Sequence, residues 1–221
     1  MIYIEKKPEP KSLTKYKLQE HAYYDGCPKN DIRESLFKEQ GHLCAYCMRR
    51  IEEAELVRIE HWKPESLLTE YEKLDYKNML GVCLGHIEGT QGKDDTCDAH
   101  KGNTPITVNP LDEITLRSIY YDTKNGEIHS SNAEIDNDLD VVLNLNSLKH
   151  RLPNNRKTKL DEFLRLLTDK FGKKDWTVSR LSKVLERYSA LTKDGSKVEY
   201  LGIISWYLNK RIDSAKKNQS K

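Results

Sequence analysis

The chain has 221 residues, 37% hydrophobic and 33% charged, with a formal net charge of +2, which suits one soluble domain or two small ones. No apolar run approaches the roughly 18 residues of a membrane span, which excludes an integral membrane protein, and MIYIEKKPEP lacks the apolar core of a signal peptide, so a cytoplasmic location is expected. A net charge this close to zero does not by itself announce a nucleic-acid binder, so any basic surface must be local.

Residues 2–4 read as a short edge strand ended by Pro8 and Pro10, and residues 12–24 as a polar helix. A better helix covers residues 31–40: Asp31 can cap it, Glu34 stands three residues on as capping-box partner, and Gly41 ends it, with Leu36 and Phe37 facing the core. That helix delivers the chain to Cys44. Cys44 and Cys47 have the C-x2-C spacing of a zinc knuckle, whose tight turn brings two thiolates to one ion. The same spacing serves redox motifs, but a thioredoxin-like reading needs a βαβ context that is not visible. In a reducing compartment the five cysteines are thiols or metal ligands rather than disulfides. Cys27 stands apart, a small residue near a loop.

Residues 55–61 alternate as a half-buried strand, with Leu56 and either Val57 or Ile59 inward. Glu60 and His61 close it, and Pro64 forces an extended exit. Residues 65–77 form a polar loop or ragged helix, and MLGVCL (79–84) is a second apolar strand carrying Cys83. GHIEGTQGKDDT is a flexible excursion, and TCDAHKGN opens a short helical turn that Gly102 stops. Strand, loop, strand and helix around a metal is the ββα-metal arrangement.

Further on, residues 106–131 alternate and contain Asn125-Gly126, a hairpin signal. Residues 144–155 are a turn-rich link. Lys149, Arg151, Arg156, Lys157 and Lys159 form the densest basic run, a pattern that is usually only a solvated face. Leu160, Phe163, Leu164 and Leu167 make one helical stripe; Val178, Leu181, Leu185 and Tyr188 make another. A third helix starts at the capping box of Ser196 with Glu199 and carries Leu201, Ile204 and Leu208. Ile203, Trp206 and Tyr207 widen its apolar arc, which suggests another surface to cover. SAKKNQSK is a frayed tail.

Residues 44–103 resemble the HNH nucleases in order: C-x2-C, E-H-x-x-P, an Asn in a loop, then a cysteine and C-D-x-x-K-G. EQGHLCAYC, VNPLD, VLNLNSLKHRLPNNR and the helical tail extend the resemblance over nearly the whole chain to the PtuB family, the HNH subunits of Septu and retron-associated anti-phage systems. The resemblance implies an α+β fold: a helical lead-in over 1–43, an HNH (ββα-metal) nuclease core with a structural zinc knuckle over 44–110, a β-hairpin and connecting segment over 111–150, and a helical C-terminal region over 151–221, whose wide apolar arc makes it the expected dock for a partner. Its zinc ligands would be Cys44, Cys47, Cys83 and Cys97. His86 offers a rival C-x2-H ligand, and the alignment of C-D at Cys97 and Asp98 favours Cys97. His100 is a further ligand or a helix-face residue.

The implied reaction is metal-dependent hydrolysis of phosphodiester bonds. His61 would be the general base, since imidazole titrates near neutral pH. Glu60 and Asp98 would hold a hard cation, Mg²⁺ or Mn²⁺ rather than zinc; at the third position His or Asn is commoner than Asp. Asn78 would fix the loop holding the base, and Lys101, one helical turn beyond Asp98, would reach a phosphate. Beside such a core, Lys149, Arg151, Arg156 and Lys157 could hold nucleic acid. The implied partners are the ATPase PtuA, which would gate cleavage, a DNA or RNA substrate with tRNA among the candidates, and in retron settings a reverse transcriptase with its RNA–DNA hybrid. Two rivals stand beside this reading: an HNH nuclease of another role such as restriction, and a non-catalytic zinc module that binds nucleic acid or protein.

Overall fold

Helix α1 (Lys11–Tyr16) and helix α2 (Lys29–Glu39) lead into the centre of the molecule. The computed structural model describes residues 1–89, 91–172 and 176–219. Residues 2–4 form no strand. Met1 and Ile4 are buried, but the Ile4 N–H meets only the Pro110 carbonyl, at 2.9 Å, and one bond does not make a ladder. The polar helix expected to reach residue 24 stops at Tyr16, and a single 3₁₀ turn follows at Tyr24–Gly26. Helix α2 starts earlier than its capping box suggests. Pro28, with φ at −74°, begins it without a side-chain cap, which leaves Asp31 and Glu34 inside the helix. Its Ile32 and Leu36 are fully buried, and Phe37 stacks on His42 with ring centres 3.9 Å apart.

Strands β1 (Arg58–His61) and β2 (Met79–Val82) pair antiparallel, with Ile59 opposite Gly81 and His61 opposite Met79. Leu56 faces solvent because residues Ala54–Leu56 turn as a 3₁₀ helix, and Val57 takes the inward place. Gln40 ties α2 to both neighbours: its amide donates to the Leu43 and Gly81 carbonyls (2.8 and 2.7 Å) and accepts from the Gly81 N–H (2.7 Å). Isolated 3₁₀ turns fill residues 65–78. The strands lead to the short helix α3 (Cys97–Lys101), which ends at Gly102 as its sequence requires.

The approach to α3 is pinned on two sides. The Thr96 N–H donates to the Gly85 carbonyl (2.7 Å), the Cys97 N–H to the Leu143 carbonyl (2.9 Å), and the Asn144 amide to the Asp95 carbonyl (2.8 Å). Gly85 sits at φ +66°, and a Cβ there would lie 2.1 Å from the Thr96 carbonyl oxygen, so only glycine fits.

Downstream, α4 (Glu113–Leu116) precedes the hairpin of β3 (Ile119–Tyr121) and β4 (Ile128–Ser130), whose turn contains Asn125 and Gly126. Helix α5 (Ala133–Asn137) runs into one wide π turn at Asp138–Val142. The expected link is shorter than its turn residues suggest, because α6 (Leu152–Phe171) begins at Leu152 with Pro153 in its first turn. Helices α7 (Val178–Ser189) and α8 (Leu201–Gln219) follow, and α8 packs against α6, α7 and β3.

The capping box at Ser196 does not form. Glu199 accepts instead from the Arg50 N–H (3.1 Å), and the Ser196 hydroxyl bonds Thr192 (2.8 Å). The wide arc of α8 is used inside the chain: Leu201, Ile203, Ile204 and Leu208 are buried, and Trp206 and Tyr207 are half-buried. The expected frayed tail is helical as far as Gln219, and its last two residues lie outside the described ones. One buried cluster runs from Met1 through residues 43–48 to Ile212 and crosses each boundary drawn at 43, 110 and 150. No helix among the described residues is long and apolar enough to cross a membrane.

Candidate metal centre and active site

The turn Cys44–Cys47 is a knuckle closed by its own backbone. The Cys44 N–H donates to the Arg49 carbonyl (3.0 Å) and the Met48 N–H to the Cys44 carbonyl (3.1 Å), with Met48 in the left-handed region at φ +63°. Cys83 arrives from the end of β2, and Cys97, also left-handed at φ +56°, from the start of α3. The four sulfurs lie within 4.8 Å of one another, and all four residues are buried. Neighbouring pairs measure 3.8 Å (Cys44–Cys97), 3.7 Å (Cys47–Cys83) and 3.8 Å (Cys83–Cys97).

Disulfide sulfurs stand about 2.05 Å apart, whereas four Zn–S bonds of about 2.3 Å set tetrahedral edges of about 3.8 Å. The cluster therefore fits a zinc ion. Burial opposes charge on Cys44, yet hydrogen bonds from the Cys47, Cys83 and Cys97 thiols draw it well below the ordinary thiol range. Cys83 and Cys97 are pushed up, chiefly by their hydrogen bonds to that same sulfur. One negative charge can be shared this way; four deprotonated sulfurs need a dication. His86 is outside the cluster. Its side chain is 49% exposed and its Nδ1 pairs with Asp95 at 2.7 Å. His100 is outside it too, with Nδ1 on the Val142 carbonyl at 3.0 Å.

One residue along from Cys97, Asp98 belongs to a second group. Alternation along β1 puts Arg58 and Glu60 on one face and His61 on the other. Glu60 is buried, accepts from the Tyr46 hydroxyl (3.0 Å), and lies 2.8 Å from Lys101 Nζ. Asp98 lies 3.1 Å from Arg58 Nε. Burial, reinforced by the hydrogen bond and charge of Asp98, pushes the Glu60 carboxyl up to about 8, against the opposing pull of Lys101. Two carboxylates that repel one another are a donor set for a hard divalent cation, which would relieve that repulsion and leave further positions for oxygen ligands.

Lys101 is not where a phosphate contact needs it. Its side chain is fully buried, and Nζ also faces the His61 and Gly102 carbonyls (3.4 and 3.5 Å). It is the internal counter-ion of Glu60.

His61 is buried with its ring edge-on to Tyr24 at 4.7 Å. Its Nε2 lies 2.8 Å from the Lys73 carbonyl. A carbonyl can only accept, so Nε2 carries a proton. Nδ1 makes no hydrogen bond among the described residues; the Glu65 carboxylate stands 3.3 Å away without hydrogen-bond geometry. Asn78 clamps the strand exit in both directions, accepting from the Lys63 N–H (2.8 Å) and donating to the Lys63 carbonyl (3.0 Å).

The basic run divides. Arg156 is buried inside the first turns of α6, donating to the Gly126 and Leu145 carbonyls (2.7 and 2.8 Å) and to Asn146 Oδ1 (3.0 Å). It holds the hairpin to α6 and has no donor directed to solvent for a phosphate. Lys157 pairs with Asp161 one turn on, and Lys159 with Glu162. Lys149 and Arg151 are exposed.

Sequence reasoning missed Tyr46, Tyr24, Arg58 and Gln40. Only Arg58 left a signal, since it stands two residues before Glu60 on the same face of a strand. Comparison with models of known protein families and with curated proteins gives no match.

Proposed function

We propose that this chain is a metal-dependent HNH endonuclease that hydrolyses phosphodiester bonds. The observation that carries this reading is His61: a buried imidazole whose Nε2–H is tied to a backbone carbonyl and whose Nδ1 makes no hydrogen bond, with the Glu65 carboxylate 3.3 Å away. It sits one residue from an acid that faces a second carboxylate across the β1, β2 and α3 arrangement. In the proposed reaction a water oxygen bonds to phosphorus as its proton passes to His61 Nδ1, and the bond from phosphorus to the leaving oxygen breaks. Glu60 and Asp98 would hold Mg²⁺ or Mn²⁺, which when bound supplies charge to stabilise the phosphate and the leaving oxygen. Asn78 keeps the backbone after His61 in place, and Lys101 holds Glu60 in position from beneath. Zinc in the four-cysteine cluster has a structural part only, because protein sulfurs would fill every position on it.

By its resemblance to the PtuB family we assign the activity to a cytoplasmic anti-phage complex gated by the ATPase PtuA, with DNA or RNA as substrate. A retron reverse transcriptase with its hybrid is a further partner where one is encoded nearby.

The test is His61→Ala, with phage DNA and host tRNA as substrates, alone and with any ATPase encoded beside the gene. Cleavage should fall about 10²–10⁴-fold, with zinc content unchanged and the protein still cooperatively folded, its melt lowered by the loss of a buried, hydrogen-bonded ring. Retained cleavage rules the mechanism out. The rival reading, a zinc module that binds without cleaving, draws on the Glu60–Lys101 pair, which already satisfies one carboxylate. It expects the wild type and His61→Ala to bind nucleic acid alike and neither to cleave it.

A further inference from the structure

Each carboxylate of the site already has a cation of its own, and the two cations differ in freedom. Lys101 lies 2.8 Å from Glu60 with none of its side chain in solvent. Arg58 reaches Asp98 at 3.1 Å from the start of β1 with 49% of its side chain exposed. Each acid faces a base of its own, so an incoming dication gains its full attraction only if one resident cation leaves. Lys101 cannot leave without stranding a buried charge. Arg58 can turn into water cheaply, since exposed ion pairs are weak.

We propose that Arg58 is a latch on Asp98: a divalent cation displaces it, and the freed guanidinium then takes a phosphate of the bound nucleic-acid strand at the mouth of the site. The proposal rests on the nuclease reading above. A guanidinium fork matches phosphate oxygens as well as it matches a carboxylate, so the same group serves both states. Metal and nucleic acid then favour each other's binding, because the metal frees the arm that the strand uses and the coupling is reciprocal.

The experiment uses the zinc-loaded full chain. Mn²⁺ affinity is measured by electron paramagnetic resonance of the free ion, with and without noncleavable DNA and RNA oligonucleotides, for wild type, Arg58→Gln, Arg58→Lys and Asp98→Asn. Arg58→Gln should bind Mn²⁺ about two- to fivefold more tightly than wild type in the absence of nucleic acid. It should also lose the tightening that an oligonucleotide gives the wild type. Arg58→Lys, which keeps the charge and loses the fork, should change in the same direction by less. Equal or weaker Mn²⁺ binding by both Arg58 variants overturns the latch while leaving the nuclease reading standing. Wild-type binding that Asp98→Asn does not weaken, or no wild-type binding at all, overturns the site itself and the latch with it.

Discussion

Cys97 and Asp98 are neighbours in the chain, yet they serve centres built on opposite plans. Around Cys97 the donors are four of a kind, buried and at nearly equal spacing. An ion there would have every position filled by protein. Around Asp98 the groups are unlike, each acid is matched to a base, and one of those bases reaches into solvent. An ion there would take two protein donors and leave the rest to water or phosphate. The first plan suits a centre that holds the fold. The second suits one where a substrate must enter, and the contrast between them can be broken at either end.

The largest effect belongs to the closed centre. Cys97→Ser should lose its zinc and its cooperative unfolding transition, since on the order of 10 kcal/mol of metal-binding free energy is coupled to folding in small zinc modules. His86→Ala should keep about one equivalent of zinc and an unchanged melt, as metal analysis and calorimetry would report. A zinc-free His86→Ala protein would reverse the ligand assignment.

Next comes the buried pair at the open centre. Glu60 is raised from 4.5 to about 8 in the fold. Below the lower value it is protonated whether folded or not and costs nothing. As pH climbs through that window the unfolded chain ionises first, so the folded state loses stability. Lys101→Met pushes the folded value higher still. Between pH 5 and 8 Glu60 is protonated in both folded proteins, so the deficit should stay nearly constant there; above pH 8 it should grow by up to about 1.4 kcal/mol per pH unit, as Glu60 ionises in the folded wild type but not in the variant. Urea titrations at pH 7 and pH 9.5, in chelator for the divalent site and with zinc retained, decide this; a pH-independent deficit would show that Lys101 acts only by packing.

A smaller effect tests how α3 is positioned. Gly85→Ala places a methyl against the Thr96 carbonyl and should destabilise the zinc-loaded protein by about 2–3 kcal/mol, measured by the shift in urea midpoint. The smallest effect is on the surface. Lys149→Ala and Arg151→Ala should each reduce the salt dependence of nucleic-acid binding by about one unit of slope without moving the melt. Arg156→Ala should instead lower stability by about 1.5–3 kcal/mol, because it removes a buried guanidinium from three acceptors.

What the sequence made legible follows from how local each signal is. Two cysteines three residues apart, an Asn-Gly turn and a Gly-stopped helix turn are short-range patterns, and each appears in the fold where it was expected. Choosing Cys97 over His86 needed a family resemblance, because a Gly-rich loop can close in several ways. The two capping boxes failed for different reasons: Pro28 starts α2 before Asp31 can cap it, and Glu199 binds the Arg50 backbone instead of its own helix end. Charges were the hardest to place. Lys101 and Arg156 look like surface cations in a polar sequence, and only the fold reveals that each is turned inward to acceptors from distant segments.

The hydrogen bond from the Arg50 N–H to Glu199 joins residues 149 positions apart, and the Tyr200 N–H reaches the Met48 carbonyl beside it at 3.0 Å. During translation the four cysteines emerge together and can gather an ion early, but the segment that covers their turn leaves the ribosome much later. At synthesis rates of about 5–20 residues per second, that gap lasts on the order of ten seconds. Over that interval the turn lacks the backbone cover that Glu199 and Tyr200 supply in the finished fold.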